Sequence, residues 1–446
     1  VRPADAAQAA AVVRACVERG WPVHPVSGGK NWGMGSYLPD HDDAVLLDLS
    51  ALKAIGPLDR EAASVRIEAG VTQRELYDWL AREAPELAFN VTGAGAETSI
   101  VGNAMERGLG YIGSRADEFF GMEAVLADGT EHRPDPAWFS PTGLVPAGPQ
   151  VETLFFQSNF AVVTAGWLKL RRKQEVEAAV VISGELRPVF ETVAEAYRRG
   201  VLTLPVHMAG NQRADAIGGG LLRLLWGREA TVEEIRRVFP ISSQQTALGA
   251  LHGTRRLTAA ALRELRALAP ASVKIRSITR ERLDSAAAWM RRLGLKGKAT
   301  FLEAIRPLLA LTWGEPTDAG LASLGVADPD QAAEGCIYFS ATCAHSFEMS
   351  GRVEARLRES GLSYGLTRYF LAPDLLVHVI SAHFEGGSQA ATVERIRALS
   401  ASFRADGCPP YRMGVPTMVA GRSGLAARLK RALDPANLYS PGHYVA

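Results

Sequence analysis

The stretch Pro22-Val23-His24-Pro25-Val26-Ser27-Gly28-Gly29-Lys30-Asn31-Trp32-Gly33-Met34-Gly35-Ser36 decides the reading of this chain. Pro22 to Val26 reads as a short strand that runs straight into a loop with glycines at 28, 29, 33 and 35. Glycine tolerates positive φ and lets backbone N–H groups approach an anion closely. A pyrophosphate needs several such donors, each charge-assisted bond contributing roughly 1.5–3 kcal/mol. The loop is neither G-x-G-x-x-G nor a P-loop, because Asn31 follows Lys30. By itself it is either an anion cradle or a flexible surface loop.

Outward from it, Ala9, Val12, Val13, Cys16 and Val17 follow helical spacing, and Gly20 ends that helix. Strands are predicted at 44–49, 64–69, 122–127 and 160–171, with a turn at Asp128-Gly129. Thr72 and Glu75 form a capping box for a helix at 73–83. Past about residue 175, strands are predicted at 177–182, 204–208, 272–278, 336–342, 364–371 and 375–384. They alternate with helices near 185–199, 231–238, 257–267, 281–293, 346–359 and 388–403. An α+β fold, a sheet covered by helices, is the packing this implies. A further helix is predicted at 423–432.

Two more stretches carry chemistry. Thr98 to Tyr111 (TSIVGNAMERGLGY) sets small residues around an Asn-x-x-x-Arg spacing, suited to a planar ligand or to an irregular connection. Gln157-Ser158-Asn159 opens a buried strand with a polar turn. Together with Pro25–Gly35 and the tail Leu433-Asp434-Pro435-Ala436-Asn437-Leu438-Tyr439-Ser440-Pro441-Gly442, these resemble the vanillyl-alcohol oxidase and p-cresol methylhydroxylase family of PCMH-type FAD-binding flavoproteins.

The resemblance implies FAD as cofactor and a two-part protein. Residues 1–175 and 409–446 would build the FAD domain, and 176–408 an α+β cap with an antiparallel sheet. It implies cofactor contacts at Pro25, Ser27, Gly28, Gly29, Lys30, Asn31, Gly33 and Met34, then at Thr92, Gly93, Ser99, Gly102, Asn103, Arg107 and Gly110. Ser158, Val163 and His443 complete the set, with a basic group at 443 near the flavin's pyrimidine end. Tyr411-Arg412 looks like the pair that phenol-oxidising members place above the flavin; a guanidinium and a phenol hydroxyl can hold a phenolate or a carboxylate.

His378 falls where vanillyl-alcohol oxidase has its flavin-linking histidine, so a covalent bond there, or a base facing substrate, is the expectation; Lys30 excludes a histidyl bond in the first loop. Two departures stand out. Met34 occupies the place of a phenol-binding tyrosine, and no aspartate stands in the loop Thr92-Gly93-Ala94-Gly95-Ala96. An alcohol, amine or carboxylate-bearing substrate therefore competes with a simple alkylphenol. The expected activity is hydride transfer to FAD from a C–H next to O or N, or from a benzylic C–H, with O2 or another acceptor taking the electrons. The alternative is a flavin-dependent cyclisation or dehydration.

Composition, with 47% hydrophobic and 22% charged residues, is close to that of an ordinary globular protein and excludes a disordered chain. The 446 residues carry Lys+Arg 49 against Asp+Glu 48, a net charge of +1, which gives no reason to expect nucleic acid as a partner. No apolar run reaches the length of a membrane span. Cys16, Cys336, Cys343 and Cys408 show no zinc spacing and no disulfide framework, and no metal is expected. With no signal-peptide pattern after Val1, a cytoplasmic location is the expectation, and a homodimer is compatible with the family. Trp32, Trp226, Trp289 and Trp313 are expected to pack cores.

Overall fold

The computed structural model describes residues 1–446 apart from 31–33, 35–36, 144–149, 211–213, 240–244, 325–333, 386, 415–416, 419–423 and 446. Two expected cofactor contacts, Asn31 and Gly33, lie outside the described residues.

The first helix, Ala6–Arg19, starts at Asp5, whose carboxylate accepts from Gln8 N at 2.7 Å, and ends on left-handed Gly20. It buries Ala9, Ala10, Val13 and Cys16. Strand Val23–Val26 leaves it and pairs in parallel with Val45–Asp48. Thr72 and Glu75 make both bonds of the capping box on helix Gln73–Glu83. A five-stranded antiparallel sheet follows, in the order Ile55–Asp59, Ser64–Glu68, Ala161–Lys169, Phe119–Leu126, Glu131–His132. Its apolar face and the first helix share one core.

The tail joins this half. Val23 N donates to Leu438 O at 2.8 Å, and Ser440 N donates to Val23 O at 2.9 Å. Beneath this bridge a buried ion pair joins Lys430 and Asp434 at 2.6 Å, and Lys430 Nζ also donates to Asn159 O at 2.8 Å. A buried pair of this kind fixes geometry more than it adds stability.

The second sheet has seven antiparallel strands, in the order Lys274–Thr279, Val176–Gly184, Gln245–Gly253, Val206–Ala209, Ser363–Ala372, Leu375–Glu385, Glu334–Cys343. Helices Leu186–Arg198, Arg255–Leu268, Phe347–Glu359 and Gln389–Ala405 share a core with one face. Helices Arg280–Arg292 and Lys296–Ala310 pack on part of the other.

In the half built on the second sheet, three elements escape the sequence reading. Strand Gln245–Gly253 reads TALGALHG in its interior, low in β-forming residues, yet it sits inside the sheet because Gly249 lets Val206 approach. Helix Ala214–Trp226 carries Gly218, Gly219 and Gly220, and helix Lys296–Ala310 carries Pro307, so both contain residues that disfavour helix interiors. Of the tryptophans expected in cores, Trp289 is instead 57% exposed.

Candidate active site

A cavity of about 1180 Å³ lies between the two halves. Its first wall comes from the motif loops. Pro25, Ser27, Gly28, Gly29, Lys30 and Met34 line it, with Thr92, Gly93, Ser99, Gly102, Asn103, Ser158, Val163 and His443. The loops are held together backbone to side chain. Ser99 Oγ accepts from Gly102 N at 3.0 Å and donates to Ala69 O at 2.6 Å. A Cβ on Gly102 would stand 2.3 Å from Ser27 Oγ, so any larger residue there must displace the Ser27 side chain. Asn159 Nδ2 donates to Tyr439 O at 3.0 Å and to Val445 O at 3.1 Å, tying the third motif to the tail.

Three buried polar atoms of this wall, Asn103 Oδ1, Ser158 Oγ and Asn159 Oδ1, find no partner among the described residues. Buried polar groups are normally satisfied, so such a set fits a ligand rich in donors and acceptors. FAD meets that description, and these residues fit it.

Two expected contacts do not reach the wall. Arg107 takes positive φ and lays its guanidinium over the Tyr411 ring, 4.9 Å from the centroid. Gly110 is pressed against Asn90, and its carbonyl accepts from the Tyr369 hydroxyl. Both shape the turn beneath the site. His443 does line the cavity, its Nε2 3.5 Å from Asp40 Oδ1, but burial lowers its pKa against the pull of Asp40. That opposes a permanent positive charge at this place.

Arg412 lines the cavity and Tyr411 does not. The Tyr411 hydroxyl donates to Ser114 Oγ at 3.0 Å, and its ring packs with Tyr369 and Val377. These contacts hold the backbone from which Arg412 projects. Ser340 Oγ accepts from Tyr411 N at 3.1 Å and fixes the same turn to the sheet. Arg412 Nη1 donates to Glu106 O at 3.4 Å.

The Glu106 carboxylate accepts from Gln157 Nε2 at 2.5 Å and from the Tyr444 hydroxyl. Gln157 Oε1 in turn accepts from Met413 N at 2.6 Å. Burial pushes the Glu106 pKa up, with Tyr444, Arg412 and Gln157 pulling the other way. Burial also lowers Arg412, yet a guanidinium keeps its charge at neutral pH. Glu106, Gln157 and Tyr444 were not singled out from sequence. The available signal was position, since Glu106 and Gln157 stand inside two motifs and Tyr444 follows His443.

His378 is removed from the site by the pleat of its strand. Side chains alternate along a strand. Val377 and Val379 face the cavity side, whereas Leu376 and Ile380 face the covering helices, and so does His378. There Arg368 Nε donates to Ser350 Oγ at 2.9 Å, Ser350 donates to His378 Nε2 at 2.9 Å, and His378 Nδ1 donates to Ala341 O at 3.3 Å. Fully buried, with Arg368 beside it, its pKa falls to about 3. The expectation of a flavin bond or a substrate base at His378 is therefore corrected: this histidine is a satisfied core residue.

A histidine that sequence reasoning missed does line the cavity. His207 stacks on Tyr111 at 4.1 Å and meets the Tyr369 ring edge-on at 4.4 Å. It hydrogen-bonds to the Gly110 backbone, while Nε2 is buried without a partner among the described residues. Burial lowers its pKa to about 3.

Comparison with known proteins supplies the remaining evidence. Residues 1–134 match the FAD binding domain model. The chain is 35% identical over 208 residues to 1'-carboxy-chondrochloren decarboxylase of Chondromyces crocatus, covering 42% of this chain and 38% of that one. It is 31% identical over 170 residues to the 4-cresol dehydrogenase [hydroxylating] flavoprotein subunit of Pseudomonas putida, covering 35% and 32%. These matches span about a third of each relative's length. The fold is similar to that of 4-ethylphenol oxidase from Gulosibacter chungangensis in its isoeugenol complex, with a TM-score of 0.80, 21% identity, and coverage of 100% of this chain and 88% of that one.

Proposed function

We propose that the chain, whose residues 1–134 match the FAD binding domain model, is a PCMH-type FAD-binding flavoprotein and an FAD-dependent oxidoreductase acting on a small organic substrate. The observation that carries the proposal is one continuous cavity shared by the motif loops, with their unsatisfied polar atoms, and by Arg412. FAD, when bound, supplies an acceptor for the hydride of a C–H bond next to oxygen or nitrogen, or of a benzylic C–H.

The protein's residues bind and orient. Arg412 holds the anionic or polar end of the substrate, and Glu106 fixes the guanidinium from behind. Tyr411 and Ser340 set the height of Arg412 above the motif wall. His207 Nε2 accepts a hydrogen bond from a substrate O–H or N–H. It orients rather than removes that proton, because its basicity is too low for transfer near neutral pH. Positioning the donor carbon within about 3–3.5 Å of the acceptor then accounts for much of the rate.

Arg412→Ala should lower kcat/KM by about 2–4 kcal/mol of transition-state stabilisation, with flavin content unchanged. The check is anaerobic flavin reduction by a substrate found in a screen of alcohols, amines, 4-alkylphenols and arylcarboxylates. Unchanged reduction in the variant overturns the anchor role. A second reading is favoured by the decarboxylase relative: a substrate carboxylate held by Arg412 would leave as CO2 while the carbon next to the one that bears it gives up hydride and a C=C bond forms, with FAD, when bound, as the hydride acceptor. Stoichiometric CO2 release separates it from simple oxidation.

A further inference from the structure

The cavity does not stop above Arg412. All seven strands of the large sheet contribute to its wall, from Tyr338 on one edge strand, through Val379, Thr367 and Leu248, to Ile278 on the other edge strand. Neighbouring strands lie roughly 4.8 Å apart, so six steps carry the cavity about 29 Å across the sheet. Arg412 belongs to the first edge, where Ser340 accepts from its backbone N at 3.4 Å.

Toward the opposite end Ser183, Thr246, Arg266, Arg276 and Ser277 still line the cavity, and an apolar group joins them. Ile217 and Leu221 come from the glycine-bearing helix, Leu283 from the next helical layer, and Phe301 and Ile305 from helix Lys296–Ala310. Leu283 and Ile305 share a core with Leu248 on the sheet, and Ile217, Leu221 and Phe301 share the neighbouring one. None of these six side chains carries a polar atom. Gly218 also lies on this wall, where a Cβ would press to 3.1 Å from Phe239.

Resting on the oxidoreductase reading above, we infer that this apolar arm takes the extended hydrocarbon tail of the substrate, whose polar reacting head is held at Arg412. The substrate class is an amphiphile rather than a compact ring: a head bearing oxygen or a carboxylate, and a chain of several carbons. A small aromatic alcohol leaves the arm unfilled, and burying apolar surface in it is the protein's means of choosing longer molecules.

The test is isothermal titration calorimetry of the FAD-loaded protein with two homologous series, 4-alkylphenols from methyl to nonyl and n-alkanoates from butanoate to dodecanoate. Affinity should rise about fourfold per methylene in at least one series, then level off where the arm ends. Ile305→Trp should move that plateau to shorter chains while leaving the affinity for the shortest binding member unchanged. Ile217→Trp, on a different helix, should do the same and guards against a folding defect in the first variant. Affinity that is flat with chain length, a plateau that neither variant moves, or no binding at any length overturns the inference. Flavin reduction is read separately, so a protein that binds tails but never reduces its flavin sinks the oxidoreductase reading alone. One that reduces flavin with short substrates and ignores tails sinks only the arm.

Discussion

Between Val377 and Val379, one position in a strand separates a cavity wall from a core. His378 occupies the helix-facing register and is bonded through both ring nitrogens. His378→Ala should therefore leave flavin content and its release by acid unchanged, while lowering stability by roughly 1–3 kcal/mol through the unpaired Ser350 hydroxyl and Ala341 carbonyl. Absorption spectra before and after acid precipitation, with a denaturant titration, check both parts. Retention of flavin in the wild-type pellet and its loss in the variant would contradict this placement. The motif residues around Ser27, Gly102 and Ser158 were legible because their spacing is local. The face on which His378 lies was not, because strand register depends on partners far along the chain. His207 escaped for a related reason: nothing near it in sequence announces that Tyr111 and Tyr369 will enclose it.

At the scale of elements, caps and periodicity were readable, as the Thr72–Glu75 box and the alternation of strands and helices after residue 175 show. Strand Gln245–Gly253 was not, because neighbouring strands, rather than its own composition, hold it in place. The helix Leu425–Leu433 makes a sharper case. Its buried Lys430 meets Asp434, while Asp434 also accepts from Leu438 N and Tyr439 N at 2.9 Å each. Lys430→Ala strands a buried carboxylate and should cost about 3–5 kcal/mol. Lys430→Met with Asp434→Asn keeps volume, removes both charges and should recover most of that loss. Chemical denaturation of the three proteins measures it, and equal losses in the single and double variants would refute the assignment.

The molecule as a whole folds around neutral imidazoles. Burial lowers His207 and His378 to about 3 and His252 to about 4. Between these values and about 6.5 the unfolded chain binds more protons than the native one, so stability rises with pH across that window and is lost as the solution is acidified. Each such histidine contributes up to about 3 kcal/mol of that loss by pH 4. Glu118 opposes it, since burial raises its carboxyl to about 7 and its share of stability fades between about 4.5 and 7 as pH rises. Urea titrations from pH 4 to 8 should show a net fall on the acid side, with a shallower slope in His378→Ala. An equal slope in that variant would count against a neutral buried imidazole.

Strand Val23–Val26 is bonded to the segment around Leu438 and Ser440, and His24 reaches Ser440 across 416 residues of sequence. During synthesis the flavin half therefore emerges early but waits. A ribosome that stalls before Leu438 leaves Val23 without its partner, Asn159 without the carbonyls it holds, and the cradle unclosed. The strands and helices of the large sheet, made in between, leave the ribosome before Leu438 does, so the motif loops gain their last partner late in translation.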